Sequence, residues 1–501
     1  MSYQSRVQDG SPGFTFSHFR NIIDGKPTAT AETRNSTNPS TGRPNAPVPV
    51  STKEDLDLAV NAARRALKGW SATPWDERKD VLLRFVDAVL ERKEGFAKLL
   101  VEEQGKPLKF ALSEIGAAAR QVQGLAAIKL EDEVIVEEGG RKVIRRYVPV
   151  GVGGAIVPWN FPVTIMMLKL THAVLTGNTI ICKPSPFTPY TGLKLVELAQ
   201  QFFPPGVVNV LSGDDNLGPW MTSHPGIDKI SFTGSSATGR KVMESCSRTL
   251  KRVTLELGGK DPAIILPDVD IPLVAKQIAF YSFFNSGQIC VATKRIYVHS
   301  SIAKEFTAAL VSAAKSLKVG DGMEEGVFMG PVNNSMQYEK VLSFIDDVKK
   351  TGGEIVLGGT NDSAKFRYRA EDKDGQSGYF IDPTIVYNPS ESSRIMREEP
   401  FGPVLPVVTW DDEEEVIKRA NDTDMGLGAS VWGRDVERAE RIARRIEAGS
   451  VWVNEHIFGT AVAPFGGWKG SGVGVENGRE GLVGWCNLQS LYVRGEVKSV
   501  L

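Results

Sequence analysis

The stretch FFNSGQIC, residues 283–290, ends in one of four cysteines in a chain of 501 residues. By residue type alone a cysteine is more often a small buried hydrophobe than a reagent, so the neighbours of Cys290 decide its reading. Gly287 permits a backbone angle that leaves the thiol facing a cleft. A nucleophilic thiolate also needs a base and donors for the oxyanion it creates. Glu256, in TLELGGKDP, is the candidate base. A carboxylate near the end of an apolar strand is costly unless it is paired or neutral, and the upward pKa shift that follows suits proton transfer near neutral pH. Asn160, in VPWNFP, stands where a strand gives way to a helix, which also suits a helix N-cap. Its amide NH2 is a donor of the kind that stabilises a tetrahedral oxyanion.

A second group of residues suits a dinucleotide. FTGSSATGR puts Gly234 and Gly239 around a helix start, where free N–H groups and the helix dipole favour a pyrophosphate. The spacing is not the usual dinucleotide fingerprint, and a P-loop would carry Gly-Lys-Ser/Thr where Arg240 and Lys241 occur. Lys183 closes the run NTIICKP and reads either as a solvated strand-end lysine or as a donor to ribose hydroxyls in the same crevice.

The elements that must position these side chains alternate. From residue 151, VGGAIVP, NTIICKP, VVNVLSG, KISFTGS and RVTLELGG read as short apolar strands with helical segments between them. Such strands imply a parallel sheet covered on both faces, with ligands at the carboxyl ends. The alternation resumes near Gly258, through RIYVHS and a helix from Ala303 to Leu317, so a second α/β unit starts there. Upstream, STKEDLDLAVNAARRALKGW reads as an amphipathic helix behind a Thr52/Asp55 capping pair, and DDEEE at 411–415 reads as the opening of a solvated helix. Two pieces stand apart. EVIVEEGGRKVIRRYVPV reads as a hairpin turning at Glu138-Gly139-Gly140, and NLQSLYVRGEV as a lone strand. An isolated hairpin is marginal, so both are expected to pair with something, another subunit included.

Composition narrows the classes. Lys plus Arg number 59 against 60 Asp plus Glu, a formal net charge of -1, which offers no long-range field to nucleic acid or an anionic membrane. The opening MSYQSRVQDG lacks a basic segment leading into an apolar one, no apolar run approaches the ~18 residues of a spanning helix, and the closing KSVL is not the usual peroxisomal signal. Cys182, Cys246, Cys290 and Cys486 show no CxxC spacing, so free thiols in a reducing, cytoplasmic compartment are expected and no metal site is.

Taken together, PWNFP, CKPS, FTGSSATG, LELGGKDP, FFNSGQIC, EEPFGPV and PFGGWKGSG occur in the order and approximate spacing of the NAD(P)-dependent aldehyde dehydrogenase superfamily, which the chain resembles over nearly its whole length. The resemblance implies Cys290 as nucleophile, Glu256 as general base, and Asn160 with the Cys290 amide as oxyanion hole. It implies Trp159, Lys183, Gly234 and Ser235 as cofactor-binding residues, with Glu399 and Phe401 holding the nicotinamide ribose and ring. The fold implied is α/β, with two doubly wound Rossmann-like domains plus a small β oligomerisation element. Residues 1–130 and 150–257 would bind the dinucleotide, 258–470 would carry the nucleophile, and 131–149 with 480–501 would build a homodimer or homotetramer. One departure concerns the cofactor. Many NAD-preferring members have KPSE, whose glutamate would repel a 2′-phosphate; here Pro186 takes that place, so NAD is favoured while NADP stays open.

The implied reaction oxidises a small-molecule aldehyde to a carboxylic acid through a cysteine hemithioacetal and a thioester hydrolysed by Glu256-activated water. A cysteine-dependent thioesterase is the rival, yet none of the five histidines, His18, His172, His224, His299 and His456, has a recognisable catalytic context. A CoA-acylating aldehyde dehydrogenase is closer, and Glu256 argues for water as acceptor instead. Phe161, Phe284, Ile289, Val291 and Phe465 are expected at the substrate entrance, and their apolar character favours an aliphatic or aromatic aldehyde over a charged one.

Overall fold

The computed structural model describes residues 14–359 and 378–495; the N-terminal decapeptide and the closing KSVL lie outside them. Five parallel strands form the centre of an eight-stranded sheet: β1 (Val152–Ile156), β2 (Thr179–Lys183), β3 (Val208–Val210), β4 (Lys229–Thr233) and β5 (Arg252–Glu256). Their spatial order is β3-β2-β1-β4-β5, so the chain winds outward in one direction from β1 and returns to wind in the other. β1 and β2 are buried at every position, as strands covered by helices on both faces must be. In β1 the glycines serve close packing: a Cβ on Gly153 would fall 2.3 Å from the Trp485 ring.

The second sheet has seven strands and begins five residues after β5 ends, with β6 (Asp261–Ile265), β7 (Thr293–His299), β8 (Thr384–Tyr387), β9 (Val404–Trp410), β10 (Gly428–Trp432) and β11 (Ser450–Val453). These six run parallel in the order β8-β9-β7-β6-β10-β11, with Glu354–Leu357 antiparallel at one edge. Four helices carry or flank the loops between these sheets: α1 (Leu108–Ala126), α2 (Pro162–Leu175), α3 (Ser236–Ser247) and α4 (Ile271–Phe283). The Thr52/Asp55 capping box forms, and Asp412 caps the acidic helix Glu413–Asn421.

Two features differ from the sequence expectation. The hairpin Glu133–Glu138/Arg141–Pro149 and the strand Cys486–Arg494 pair with each other within one chain, making a three-stranded antiparallel sheet. Gly139 and Gly140, at φ 57 and 73, supply its turn. The first sheet also recruits short edge strands from distant parts of the chain, Asn21–Ile23 with Lys26–Thr28 at one side and Gly472–Val473 at the other. Segments of two or three residues carry no periodicity from which pairing could be read. Among the described residues no helix is long and apolar enough to cross a membrane.

Candidate active site

The winding of the first sheet reverses between β1 and β4, which opens a crevice at their carboxyl ends. Trp159 and Asn160 follow β1, Gly234 and Ser235 follow β4, Lys183 ends β2 and Glu256 ends β5. The cysteine loop approaches this crevice from the second sheet, between α4 and β7.

That loop is rigid for identifiable reasons. Asn285, Ser286 and Gly287 all take left-handed φ, at 52, 58 and 72, an unusual run for residues with side chains. Side-chain bonds hold it: Ser286 Oγ donates to the Gly330 carbonyl (2.7 Å), Gln288 Nε2 to that of Asn285 (2.9 Å), and the Asn333 N–H to Gln288 Oε1 (2.9 Å). A Cβ on Gly287 would fall 2.4 Å from the Gly402 carbonyl oxygen, so glycine is required there. Cys290 emerges from this turn as the one free cysteine that is only half-buried; Cys182, Cys246 and Cys486 are buried. Its sulfur still sits deep enough that burial pushes the thiol up to about 12, with Lys294 opposing.

Asn160 comes to the same place. Phe161, not Asn160, is the N-cap residue of α2, and the Asn160 side chain instead donates from Nδ2 to the Gln288 carbonyl at 3.0 Å. The buried Glu256 backbone carbonyl accepts from Gly234 N–H (3.0 Å), which ties the proposed base to the glycine turn. Neither Glu256 carboxyl oxygen has a protein hydrogen-bond partner. Burial raises this carboxyl well above its ordinary value, Glu476 adds to the rise and Lys169 opposes it. Both of those neighbours are buried and paired at 2.5 Å, and Ser231 Oγ accepts from Lys169 (2.8 Å) and donates to Glu476 (3.0 Å). Glu476 is held below the usual range: burial pushes it up, and the Lys169 and His172 charges together with the hydrogen bonds from Lys169 and Ser231 outweigh burial.

The residues expected to hold a cofactor line the adjoining surfaces. Trp159 and Phe401 meet edge to face, with ring centroids 5.3 Å apart, and Phe401 sits at a left-handed φ of 50. Gln337 Nε2 donates to the Pro400 carbonyl (2.7 Å) and the Phe401 carbonyl (3.1 Å), fixing that turn. Glu399 accepts from Gly259 N–H (3.3 Å) and pairs with Lys294 Nζ (2.9 Å), which also donates to the Cys290 carbonyl (2.5 Å). Ser235 caps α3 by accepting the Thr238 N–H at 3.2 Å. A cleft of about 490 Å³ opens beside it, lined by Ser235, Arg240, Lys340, Arg397 and Glu399. A helix N-terminus with basic side chains around it fits the pyrophosphate of a dinucleotide. Lys183 is buried, which lowers its ammonium to about 8; Asp215 and Asp214 oppose that and Arg34 adds to it.

On the other side of Cys290, all five residues expected at the substrate entrance gather in one apolar cluster with the cysteine. Phe161, Phe284, Ile289, Val291 and Phe465 are joined there by Leu427, Trp452 and Ile457. One face of the Phe161 ring is taken by the Lys106 ammonium, 3.9 Å from its centroid.

Sequence reasoning missed the buried charges that frame the site: Lys106 with Glu114, Lys169 with Glu476, and Lys294. One signal was available. Lys169 is the sole Lys, Arg, Asp or Glu in PVTIMMLKLTHAVL, and such a residue on a buried helix demands a partner.

Comparison with known proteins bears on the family. A family model described as "Aldehyde dehydrogenase family" matches residues 27–491. The chain is 40% identical over 478 residues to "Aldehyde dehydrogenase LUC3" of Fusarium sp, covering 95% of this chain and 99% of that one. It is 41% identical over 471 residues to the chloroplastic "Betaine aldehyde dehydrogenase" of Amaranthus hypochondriacus, covering 91% of each. A solved structure of an aldehyde dehydrogenase from Bacillus cereus, a complex with NAD+, superposes with a TM-score of 0.91 at 35% identity, covering 96% of this chain and 98% of that one.

Proposed function

The chain belongs to the aldehyde dehydrogenase family of NAD(P)-dependent enzymes, and from that premise we propose that it oxidises an uncharged apolar aldehyde to the carboxylic acid, with NAD as hydride acceptor. The observation that carries the mechanism is the Asn160 amide bonded to the cysteine loop at 3.0 Å. An amide NH2 has two donor hydrogens; Gln288 uses one and the other is left for an oxyanion. The Cys290 thiolate, its proton given up to solvent, attacks the carbonyl carbon; a C–S bond forms as the carbonyl π bond breaks, and the oxygen takes up that electron pair beside Asn160 Nδ2 and the Cys290 N–H. Bound nicotinamide supplies the acceptor for the hydride that leaves when this adduct collapses. A thioester on Cys290 remains. Glu256 then takes a proton from water, the hydroxide adds to the thioester carbon, and the C–S bond breaks to release the acid and return the thiolate.

Water is favoured over coenzyme A as acceptor because the raised Glu256 carboxyl is suited to general-base work. The apolar cluster around Cys290 supports a substrate without charge, although a relative at 41% identity is named for betaine aldehyde. NADP stays open through Pro186. The functional division follows the resemblance, with 1–130 and 150–257 for the dinucleotide and 258–470 for the nucleophile. Residues 131–149 and 480–501 are assigned to a homodimer or homotetramer contact, supported by exposed Val134, Ile135, Val136, Leu488 and Tyr492 on the three-stranded sheet. Four free cysteines suit a reducing, cytoplasmic setting. Absorbance of reduced nicotinamide, with and without an aliphatic aldehyde, tests the reaction; normal turnover by purified Cys290→Ala would refute the mechanism.

A further inference from the structure

We propose that the buried Lys106–Glu114 ion pair is a positioning device that aims the Asn160 amide at the reacting carbonyl; this rests on the oxyanion role of Asn160. Lys106 lies in the turn before α1 and Glu114 within α1, far in sequence from the cysteine loop. Their side chains are 2.5 Å apart and each only 1% exposed. Together they bracket the turn that carries Asn160. On its carbonyl side, Lys106 Nζ donates to the Asn160 backbone oxygen at 2.9 Å. On its amide side, the other Glu114 oxygen accepts both the Val163 and Thr164 N–H groups, each at 3.1 Å.

Every capacity of the pair is in use. The ammonium has the carboxylate, the Asn160 carbonyl and the Phe161 ring face, and the carboxylate has the ammonium and the first turn of α2, whose dipole favours negative charge. The same Asn160 carbonyl also accepts from Asn285 Nδ2 at 3.2 Å, within the left-handed turn that presents Cys290. One oxygen atom is therefore the point where the clamp, the oxyanion donor and the nucleophile loop join. Charge-assisted bonds hold such a point more tightly than neutral ones. Glu256 lies on a different element and touches neither Lys106 nor Glu114 in any hydrogen bond or ion pair of the described residues. Loss of the clamp should therefore slow the steps that place negative charge on the carbonyl oxygen, without moving the pH dependence that Glu256 gives to thioester hydrolysis.

The test is a kinetic cycle. Single-turnover formation of reduced nicotinamide reports thioester formation, and decay of the pre-formed thioester, followed by rapid quench across pH, reports Glu256 chemistry separately, in wild type, Lys106→Met, Asn160→Ala and the double variant. Lys106→Met should slow formation by roughly tenfold or more, leave the pH midpoint of thioester decay where the wild type has it, and add less than about twofold on the Asn160→Ala background, because its effect runs through Asn160. Equal slowing on both backgrounds, or a displaced pH midpoint for thioester decay, would overturn the positioning role while leaving the oxyanion role intact. An Asn160→Ala variant with normal formation would overturn the oxyanion role and the clamp together. Should Lys106→Met not fold, Glu114→Gln keeps acceptors for Val163 and Thr164 and carries the same cycle with the same expected pattern.

Discussion

Asn160 Nδ2 donates to the Gln288 carbonyl at 3.0 Å, two residues before the nucleophile. The bond orients the amide without exhausting it, since the second N–H has no other hydrogen-bond partner among the described residues. Asn160→Ala should slow thioester formation by roughly 10²–10³-fold, the usual cost of one oxyanion donor. The first-turnover rate measures this, and an unchanged rate would remove Asn160 from the mechanism.

Burial and Glu476 raise the Glu256 carboxyl, so its base form grows as pH rises and is lost as pH falls. Hydrolysis of the thioester should therefore climb with pH along a limb that Glu256→Gln flattens, with a loss of roughly 10²–10⁴-fold. The flanking pair gives the limb a sign test. Lys169 lowers the carboxyl, so Lys169→Met should move the limb to higher pH; Glu476 raises it, so Glu476→Gln should move the limb to lower pH. Shifts in the same direction for both variants would contradict the electrostatic account.

Much of this site was legible in the sequence. Cys290 and Asn160 each follow a turn that contains Gly or Pro, Glu256 ends an apolar strand just before Gly258-Gly259, and local chemistry makes all three candidates. The ion pairs were not, because Lys106 to Glu114 and Lys169 to Glu476 are defined by three-dimensional neighbours up to 307 positions apart. A lone buried lysine shows that a partner exists but not which one. The same limit hid the edge strand Gly472–Val473, which brings Glu476 beside the first sheet through two paired residues.

The Cys290 thiol, raised to about 12 by burial, should be protonated across the neutral range in the free enzyme. Its alkylation at pH 8 should run roughly tenfold to a hundredfold slower than that of a free cysteine of pKa about 8.5, because the small thiolate fraction outweighs the greater nucleophilicity of a high-pKa thiolate. The rate should rise without a plateau through pH 10. Labelling by iodoacetamide across pH, with Cys290→Ala as the blank, measures it. A plateau below pH 9 would show that the thiol is already activated without a bound cofactor.

Substrate charge is the next quantity the site should control. A cationic aldehyde would have to shed its hydration among Phe161, Phe284, Phe465 and Trp452, where one face of Phe161 is already occupied by Lys106. An uncharged aliphatic or aromatic aldehyde should exceed a trimethylammonium aldehyde of similar length in kcat/KM by at least about tenfold. Initial rates on such a matched pair decide it, and a preference for the cation would reassign the cluster as an aromatic cage.

Cofactor choice is proposed to turn on Pro186, just beyond the strand that ends at Lys183. Lys183 is a buried ammonium lowered to about 8, with Asp215 and Asp214 as its nearby acids and Arg34 as a second cation. A 2′-phosphate entering this corner would meet Lys183 and Arg34 as well as Asp214 and Asp215, and position 186 adds no further acidic side chain to repel it. Pro186→Glu would restore that repulsion, since like charges set side by side cost several kcal/mol. The variant should lower kcat/KM for NADP by at least roughly tenfold while changing the value for NAD by less than about threefold. The ratio of the two constants, wild type against variant, is the measurement. An equal loss with both cofactors would mean that the substitution disturbs the crevice as a whole, and that discrimination between the cofactors resides elsewhere.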